Sequence, residues 1–528
     1  MQHRKKLLYW LNQRWWQELI VWGVLYYWFS TIRDIGRYPG GDGPHILGTA
    51  GRLAQQLYDG TIYWFILCFS SLLGPHPPFA YLPFTASSVL FPEQPWNHLI
   101  GGVIVLWLIW DGLFRLRAGL IGWLWICATP LIWLQAENAG IDLVAGACII
   151  QAISHLYASN QLRKNRHVLA WGAWIGAAFM TKYTAPMFLW MPCIVAGIWA
   201  IRFGKYRKIL LGISAFLLVA LPWWSTHTAQ VMGYVLASGN AASGLLTNKA
   251  IIENPWSGEN ITWYLGAFVD AVGWQAVGWF LFLFLFSGKN SPRYLLFTGI
   301  LGGWLMLNAQ KQRQDRYLTP IYPLVGAMIG HSPFGLLSLG TLYQLLPETM
   351  AIYASTERMP TQRNYTHDYP LAGASWPTPS DSYFPISQDP KPWKIDEALE
   401  KLARYAGTGE TTVGFLLDER NGAPGYGVIL SRAITKGYRW HIATVMIARP
   451  MGGFQEKGVN RPLASIFVGP FLFGEWPSRN FSVMLSMVKP NEDPQRTKWL
   501  QSTGMKVVDE WELPQGRKGQ IWIKEEGE

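Results

Sequence analysis

Charged residues are scarce in this sequence of 528 residues. They account for 15% of it, against roughly 25% in an ordinary soluble domain. Hydrophobic residues account for 50%, and the chain contains 30 Trp, 25 Phe and 23 Tyr. This composition excludes a disordered chain, a collagen-like repeat and a coiled coil, and it indicates a large apolar region.

Cysteine is also scarce. The four cysteines lie in apolar runs without a CxxC pair, so we expect small buried side chains rather than a disulfide framework. No internal repeat is evident, which argues against transporters built from inverted halves. No small-residue cleavage site follows Phe29, so the first apolar stretch is predicted to be an anchor helix rather than a signal peptide.

The net positive charge is confined to the apolar part of the chain. Residues 1–347 contain 23 Lys and Arg against 12 Asp and Glu, which accounts for the whole net charge of +11. Residues 348–528 contain 21 of each sign. A basic membrane region followed by a neutral soluble domain is therefore predicted, and no polar basic face indicates a nucleic-acid partner.

Eleven segments are apolar enough to span a membrane, which takes about 20 residues or fewer where helices pack together. They are 16–32, 97–110, 118–135, 139–158, 168–181, 184–201, 208–224, 263–286, 293–308, 316–331 and 334–347. We therefore predict a polytopic α-helical membrane protein with about 11 transmembrane helices in residues 1–347, and outer loops at 33–78 and 225–262. Residues 348–528 are predicted to form a soluble α/β domain after a linker at 360–392. Its predicted elements are strands at 412–417, 442–448, 464–468 and 482–488 and a helix near 495–502.

The positions of Lys and Arg predict the orientation in a membrane, which we expect to be a bacterial inner membrane. The basic N-terminus and the loops at 115–117, 163–166, 202–208 and 289–293 are assigned to the cytoplasm. The loops at 137–142, 181–186, 225–262 and 311–316 and the C-terminal domain then lie on the opposite side. The stretch 61–110 must consequently cross the membrane an odd number of times.

Four polar sites are predicted on that non-cytoplasmic side. Ionisable residues at membrane depth or at the ends of membrane helices are informative, because placing a charge in the membrane is costly. Asp42 lies in a glycine-rich loop, where capping of the next helix is the alternative role. His76 precedes two prolines and Phe79 at the start of an apolar helix. Asp142 begins an apolar span five residues after Glu137, and capping is again the alternative.

The fourth site is cationic. Lys311, Arg313 and Arg316 precede Tyr317 in a short outer loop. Three cations are unusual there, because Lys and Arg are normally in excess in cytoplasmic loops. Arginine binds phosphate in a bidentate manner, so a phosphate site is predicted there. Lys182 is a lone cation between two helices on the same side, with snorkelling to the interface as its alternative. An acid to deprotonate a hydroxyl and cations to stabilise a leaving phosphate suit transfer from a phosphorylated lipid.

The order of these motifs resembles the polytopic GT-C glycosyltransferases that use polyprenyl-phosphate sugars, including protein O-mannosyltransferases and aminoarabinose transferases acting on lipid A. The resemblance covers most of residues 1–331. It rests on Asp42, His-Pro-Pro-Phe at 76–79, Asp142, Thr-Lys-Tyr at 181–183, Leu-Pro-Trp-Trp at 221–224 and Arg-Tyr-Leu-Thr-Pro-Ile-Tyr-Pro at 316–323. Gly43 departs from the family, in which an acidic or bulky residue often follows the loop aspartate.

The resemblance implies a GT-C fold and an inverting displacement at the anomeric carbon, with polyprenyl phosphate as leaving group. It implies Asp42 as catalytic base and Asp142 as a second acid in the cleft. The residues expected to bind substrate are His76, Glu137, Lys182, Arg313, Arg316 and Tyr317. The predicted partners are a polyprenyl-phosphate sugar, membrane lipid and a glycan, lipid or protein acceptor. No cofactor is identified, and the sequence leaves open whether a divalent metal assists.

Two other functions compete with this interpretation. One is a carrier or flippase for lipid-linked sugars, which should distribute polar residues along its path rather than at one end. The other is an inactive scaffold for envelope assembly, which the Gly43 departure leaves open. A zinc site formed by His45, His76 and His227 is disfavoured because their spacing matches no metal-binding pattern.

Overall fold

The structure is a computed structural model in which helices dominate the first two thirds of the chain. It describes residues 2–35, 43–59, 66, 77–92, 94, 96–245, 264–266, 268, 278, 281–282, 292–309, 315–331, 394–409, 411–417, 433, 436–438, 440–444, 482–488, 504–513 and 517–524.

The helices follow the apolar runs of the sequence. They are α1 (Gln2–Ile35), α2 (Gly43–Asp59), α3 (Leu82–Leu90), α4 (Asn97–Arg115), α5 (Gly119–Cys127), α6 (Pro130–Glu137), α7 (Ile141–Ala158), α8 (Asn165–Phe179), α9 (Pro186–Arg202), α10 (Tyr206–Leu245), α11 (Arg293–Asn308), α12 (Ile321–His331) and, near the C-terminus, α13 (Ile395–Ala406). Two 3-10 turns, Pro78–Tyr81 and Asp315–Leu318, precede α3 and α12.

Three described helices are long and apolar enough to cross a membrane. They are α4, α7 and the part of α10 from Tyr206 to Ala229. The predicted span 118–135 is instead divided into α5 and α6, which meet at an angle of 82° and form at most a fourth span. Pro130 begins α6, and a proline cannot continue the hydrogen-bond ladder of a preceding helix. The number of about 11 spans remains a prediction.

The start of the predicted outer loop 225–262 is helical. The α10 helix continues to Leu245, past Pro222 inside it. Pro222 removes one backbone donor, but residues 225–245 contain no further proline that would end the helix. In the other predicted loop, 33–78, residues Gly43–Asp59 form α2.

Glycine allows the closest helix contacts in this core. A Cβ atom at Gly172 of α8 would lie 2.0 Å from the carbonyl oxygen of Gly212 in α10. A Cβ atom at Gly330 of α12 would lie 2.4 Å from the carbonyl oxygen of Ala118, just before α5. Such backbone contact is typical of helices that pack in membranes, where small residues replace the hydrophobic effect as the source of association.

A five-stranded sheet forms the described part of the C-terminal region. The strands are β1 (Thr411–Leu417), β2 (Trp440–Thr444), β3 (Val483–Val488), β4 (Met505–Leu513) and β5 (Arg517–Lys524), in the spatial order β2-β1-β3-β5-β4. The first three are parallel, with Val413 opposite both Ile442 and Val483, and β5 is antiparallel to β3 and β4.

One face of this sheet is covered by α13. Its apolar residues Ile395, Ala398, Leu399 and Leu402 recur at helical spacing and pack against strand residues such as Val413 and Leu485. The strands predicted at 412–417 and 482–488 coincide with β1 and β3. The runs predicted at 464–468 and 495–502 lie outside the described residues, and the domain limits 1–347 and 348–528 remain predictions.

Candidate active site

Asp142 and Lys182 form a buried ion pair. The Lys182 Nζ donates a hydrogen bond of 2.6 Å to Asp142 Oδ1, and each side chain is only 2% exposed. Asp142 lies in the first turn of α7, whereas Lys182 follows α8, 40 residues further along the chain. Burial excludes the alternative that Lys182 snorkels to the interface. The N-cap residue of α7 is Gly140, so the Asp142 carboxylate pairs with a cation instead of serving as an N-cap.

Tyr317 completes this group, which we call the Asp142 cluster (Asp142, Lys182 and Tyr317). The Lys182 ammonium lies 4.6 Å from the centre of the Tyr317 ring, which is within the range of a cation–π interaction. Tyr317 belongs to the 3-10 turn Asp315–Leu318, and it is 6% exposed. The same segment packs on α7, since a Cβ atom at Gly146 would lie 3.3 Å from Cα of Pro320.

The prolines after His76 also reach this region. The backbone N–H of Phe79 donates a hydrogen bond of 2.7 Å to the carbonyl oxygen of Met180, two residues before Lys182. Pro77 and Pro78 are buried beside it, and Phe79 packs against a small group formed by Met180, Ala220 and Trp223. Three of the four predicted polar sites therefore contribute residues to one end of α7, although they are far apart in the sequence.

Glu137 lies at the end of α6, close to the Asp142 cluster in the chain, and is 1% exposed. The turn to α7 passes through Ala139, which has a φ of 52°, and Gly140. A Cβ atom at Gly140 would lie 1.9 Å from Gln135 Oε1, so a larger residue there would have to displace the Gln135 side chain. This tight turn fixes the direction in which α7 starts and thereby the position of Asp142.

Several predicted site residues lie outside the described residues. These are Asp42, His76, Lys311 and Arg313, and the side chain of Arg316 is also not described. Their assigned roles remain predictions. In the chain, Asp42 directly precedes α2, which begins at Gly43.

Of the three histidines weighed as zinc ligands, the structure describes the surroundings of His227. His227 is buried in α10, where its ring stacks on Trp223 with the centroids 4.6 Å apart, and Nδ1 lies 2.7 Å from Thr226 Oγ1. His76 and the His45 side chain lie outside the description. No group of three or more His, Cys, Asp or Glu side chains is suited to a metal in the part of the chain that the structure describes.

A second polar group, at the other end of α7, was missed by the sequence analysis. We call it the Asp111 cluster (Arg14, Asp111, Arg115, Gln151 and Ser154). Arg115 donates to Asp111 Oδ2 at 2.5 Å, to Gln151 Oε1 at 2.7 Å and to Ser154 Oγ at 2.9 Å. Arg14 of α1 donates to Asp111 Oδ1 at 3.2 Å.

A signal for this cluster was present in the sequence. Asp111 and Arg115 lie four residues apart, which places them on one face of a helix, and Gln151 is a polar residue inside an otherwise apolar span. Arg115 had served only to predict orientation. The described polar residues therefore occupy both ends of α7, whereas the segment of α7 from 143 to 150 between the two clusters is entirely apolar.

The comparisons with known proteins first define the fold. The crystal structure of ArnT from Cupriavidus metallidurans in the apo state matches with a TM-score of 0.59 and 13% sequence identity, covering 97% of this chain and 98% of that one. The structure of the same protein bound to undecaprenyl phosphate matches with a TM-score of 0.56 and 12% identity, covering 96% and 97%. The chain therefore has the fold of this GT-C glycosyltransferase along almost its entire length.

The family comparison agrees with the fold. The model of the family described as dolichyl-phosphate-mannose-protein mannosyltransferase matches residues 62–225, which include Asp142, Lys182 and the Phe79 turn. No curated protein sequence matches the chain significantly. The predicted resemblance to polyprenyl-phosphate-dependent GT-C glycosyltransferases is confirmed, as is the prediction that the chain is a membrane glycosyltransferase.

Proposed function

We propose that this chain transfers a sugar from a polyprenyl-phosphate carrier to an acceptor hydroxyl at the outer face of the membrane, with inversion at the anomeric carbon. The observation that carries the proposal is the Asp142 cluster. Asp142, Lys182 and Tyr317, from three separate parts of the chain, converge at the end of α7 that the charge distribution predicts to be non-cytoplasmic. The bound carrier in the ArnT structure supports the choice of donor.

The reaction exchanges one bond for another at the anomeric carbon. The acceptor oxygen attacks this carbon while its proton passes to a carboxylate, and the bond from the carbon to the phosphate oxygen breaks. The polyprenyl phosphate leaves with the electron pair and gains negative charge as it does so. A base is thus needed on the acceptor side and cations are needed on the leaving-group side.

The residues of the chain are assigned to these two tasks. Asp42 takes the acceptor proton, and Arg313 and Arg316 face the donor phosphate, since guanidinium groups bind phosphate oxygens in pairs. Asp142 holds Lys182 in place by the 2.6 Å hydrogen bond, which keeps the positive charge of Lys182 at this end of α7. Tyr317 screens this pair from water, which strengthens its electrostatic effect.

Glu137 and His76 are assigned to substrate contacts beside this pair. Glu137 is buried at the end of α6, and His76 directly precedes the prolines that lead to Phe79. In a bacterial inner membrane, the C-terminal region 348–528 lies on the same, non-cytoplasmic side. It is therefore positioned to select a glycan, lipid or protein acceptor.

A carrier or flippase is the second candidate, and the Asp111 cluster is the observation that favours it. Polar groups at both ends of α7 are what a lipid-linked sugar would meet on crossing the membrane. The apolar segment 143–150 between the clusters argues against a continuous polar path. A scaffold without activity would retain the fold but catalyse no transfer.

The test is a transfer assay with the purified full-length chain in mild detergent. Polyprenyl-phosphate sugars are supplied, and release of polyprenyl phosphate is followed by mass spectrometry, together with any polyprenyl lipid that copurifies. We expect release by the wild type and a loss of about 100-fold or more in Asp42→Asn, because a general base contributes about that factor. Arg316→Ala should lose the copurified carrier.

Arg293→Ala is the matched control, since Arg293 lies at the start of α11 and its Nη2 donates to Tyr294 Oη at 2.8 Å on the surface. This variant should behave as the wild type. Full activity in Asp42→Asn would remove Asp42 as the base. Binding of the carrier without any release, combined with movement of the carrier across vesicle membranes, would favour the flippase.

A further inference from the structure

Seven cations form one surface at the end of the helices that is remote from the Asp142 cluster. They come from the loop before α8 and the turn between α9 and α10, and we call them the basic surface. Its members are Arg163, Lys164, Arg166, Arg202, Lys205, Arg207 and Lys208. Lys205 and Lys208 are half-buried, whereas the five others are exposed.

The two segments of the basic surface are held together by specific contacts. Lys205 Nζ donates a hydrogen bond of 3.0 Å to the carbonyl oxygen of Gln161, and Lys208 Nζ donates to Asn165 Oδ1. Behind them, α8 and α10 touch through Gly172 and Gly212. Because of these contacts, the cations of the two segments lie next to each other, although about 40 residues separate the segments in the chain.

The loop before α8 has an unusual and well-supported backbone. Asn160, Gln161 and Leu162 have φ values of 51°, 56° and 64°, a left-handed region that such side chains seldom adopt. Ser159 stabilises the loop, because its Oγ accepts from Leu162 N at 3.1 Å and its carbonyl oxygen accepts from Arg163 N at 2.8 Å. Leu162 is fully buried beneath it. The loop thus presents its cations in a fixed arrangement.

Nothing negative balances this surface within the surrounding chain. No Asp or Glu occurs from Leu143 to Ile252, a stretch that contains nine Lys and Arg. Among the described residues, no acidic side chain forms an ion pair with the seven cations. Burial and the neighbouring charges of Arg163 and Lys208 lower the pKa of Lys205. Bound anions would relieve this repulsion.

Exposed apolar side chains adjoin the cations directly. Phe203 lies within 6 Å of both Arg202 and Lys205, with ring-centre distances of 5.7 Å and 5.5 Å, and Ile201, Tyr206 and Leu210 are exposed around it. A cationic rim next to exposed apolar side chains matches the level at which lipid headgroups meet acyl chains.

We infer that the basic surface is a binding site for anionic phospholipids of the adjacent leaflet, whose headgroup phosphates lie between the two segments. A topology signal requires only positive charge on one side of the membrane. A loop held in a left-handed backbone and linked to a second cationic turn supplies in addition a preformed geometry, which is what a bound headgroup requires. The site is independent of the sugar donor, and it remains if the chain proves to have another activity.

The location of the proposed phospholipid site is tested on the wild-type chain. A photoactivatable phosphatidylglycerol is added to the purified full-length protein, and the cross-linked peptides are identified by mass spectrometry. We expect cross-links in 159–166 and 202–208, weaker as salt rises because charge screening reduces the attraction. Equal labelling of these segments by a photoactivatable phosphatidylcholine, or labelling elsewhere only, would overturn the inference.

The strength of binding is tested with matched charge variants. Arg163→Gln/Lys164→Gln/Arg166→Gln should weaken phosphatidylglycerol binding at least about tenfold in native mass spectrometry, because each cation near a lipid surface contributes measurably. Lys394→Gln/Arg404→Gln/Lys506→Gln removes the same charge from the C-terminal region and should bind as the wild type.

A charge-retaining variant guards against misfolding of the glutamine variant. Arg163→Lys/Arg166→Lys keeps both charges and should retain binding. An equal loss in the C-terminal control would contradict a specific surface. Displacement of bound phosphatidylglycerol by a small excess of polyprenyl phosphate, and by no other lipid, would assign the surface to the carrier and overturn the inference.

Discussion

The two ends of α7 contain charged groups of different construction. At one end, Asp142 and Lys182 form a single pair that is almost completely buried. At the other, Asp111 and Arg115 keep 15% and 23% exposure and share hydrogen bonds with Arg14, Gln151 and Ser154. The distance between Asp142 and Ser154 along the helix is about 18 Å at the usual rise per residue.

The difference indicates which end is built for stability. The Asp111 cluster joins α1, α4 and α7 through several charged hydrogen bonds with partial access to water, so desolvation costs less there than for a fully buried pair. A fully buried pair gains its attraction at a desolvation cost that often exceeds it, and apolar side chains would hold the helices equally well. The burial of Asp142 and Lys182 is therefore weak evidence for a stabilising role, and it is consistent with the proposed function of this pair.

The largest effect is expected at Asp142. Asp142→Asn should reduce transfer about 100-fold or more, because removing a positioned electrostatic group costs about that factor. It should also destabilise the fold by about 3–5 kcal/mol, since the Lys182 charge stays buried without its counter-charge. Thermal unfolding and the transfer assay measure the two effects separately.

The double variant Asp142→Asn/Lys182→Met separates function from stability. Removing both charges should restore most of the lost stability and none of the activity. If stability stays low in the double variant, or activity returns with it, the contrast between the two ends of α7 fails.

A smaller effect is expected at the Asp111 cluster. Arg115→Met should reduce the free energy of unfolding by about 1.5–3 kcal/mol through lost charged hydrogen bonds, while transfer per folded molecule stays unchanged. The matched control is Arg117→Met, an exposed arginine nearby, which should change stability by less than about 0.5 kcal/mol. A loss of transfer in folded Arg115→Met protein would make this end part of the mechanism.

Tyr317 sharpens the comparison within the Asp142 cluster. Tyr317→Leu removes the aromatic ring under the Lys182 ammonium and should cost about 1–2 kcal/mol of stability. Tyr317→Phe keeps the ring and should retain most of that stability. Equal losses in the two variants, measured by thermal unfolding, would show that the hydroxyl rather than the ring is important.

An exposed pair in the sheet gives the smallest effect. Glu510 accepts hydrogen bonds from Lys518 at 2.5 Å and Gln520 at 2.6 Å, which hold the pKa of Glu510 below its ordinary value of 4.5. Since the folded pKa is the lower one, this stabilisation is present above pH 4.5 and is lost as the pH falls through the folded value.

The measurement is hydrogen exchange of peptides from β4 and β5 in the full-length chain. Glu510→Gln should exchange slightly faster than the wild type at pH 7, and the difference should shrink below pH 4.5 after correction for intrinsic rates. A difference that grows in acid would contradict the assigned sign.

The sequence predicted the helices and the individual polar residues better than their partners. Asp142 and Lys182 stood out because charge is costly in apolar segments, and that argument needs no knowledge of the fold. Their pairing depends on how α7 packs against α8 across 40 residues, which no local pattern encodes. The Asp111 cluster was missed because its residues follow ordinary helical spacing. The length of α10 was missed because the predicted span ended with the apolar run at residue 224, whereas the helix continues into more polar sequence.

The contact between Gly172 and Gly212 leaves no room between α8 and α10 for lipid or for a hinge. The 15 residues of α8 extend from the basic surface almost to Lys182, a distance of about 22 Å at the usual helical rise. The distance of the Asp142 cluster from the basic surface is consequently set by the length of one helix. A methyl group at Gly172 would collide with the Gly212 backbone and force α8 away from α10, which under the proposed function changes the depth at which donor and acceptor meet.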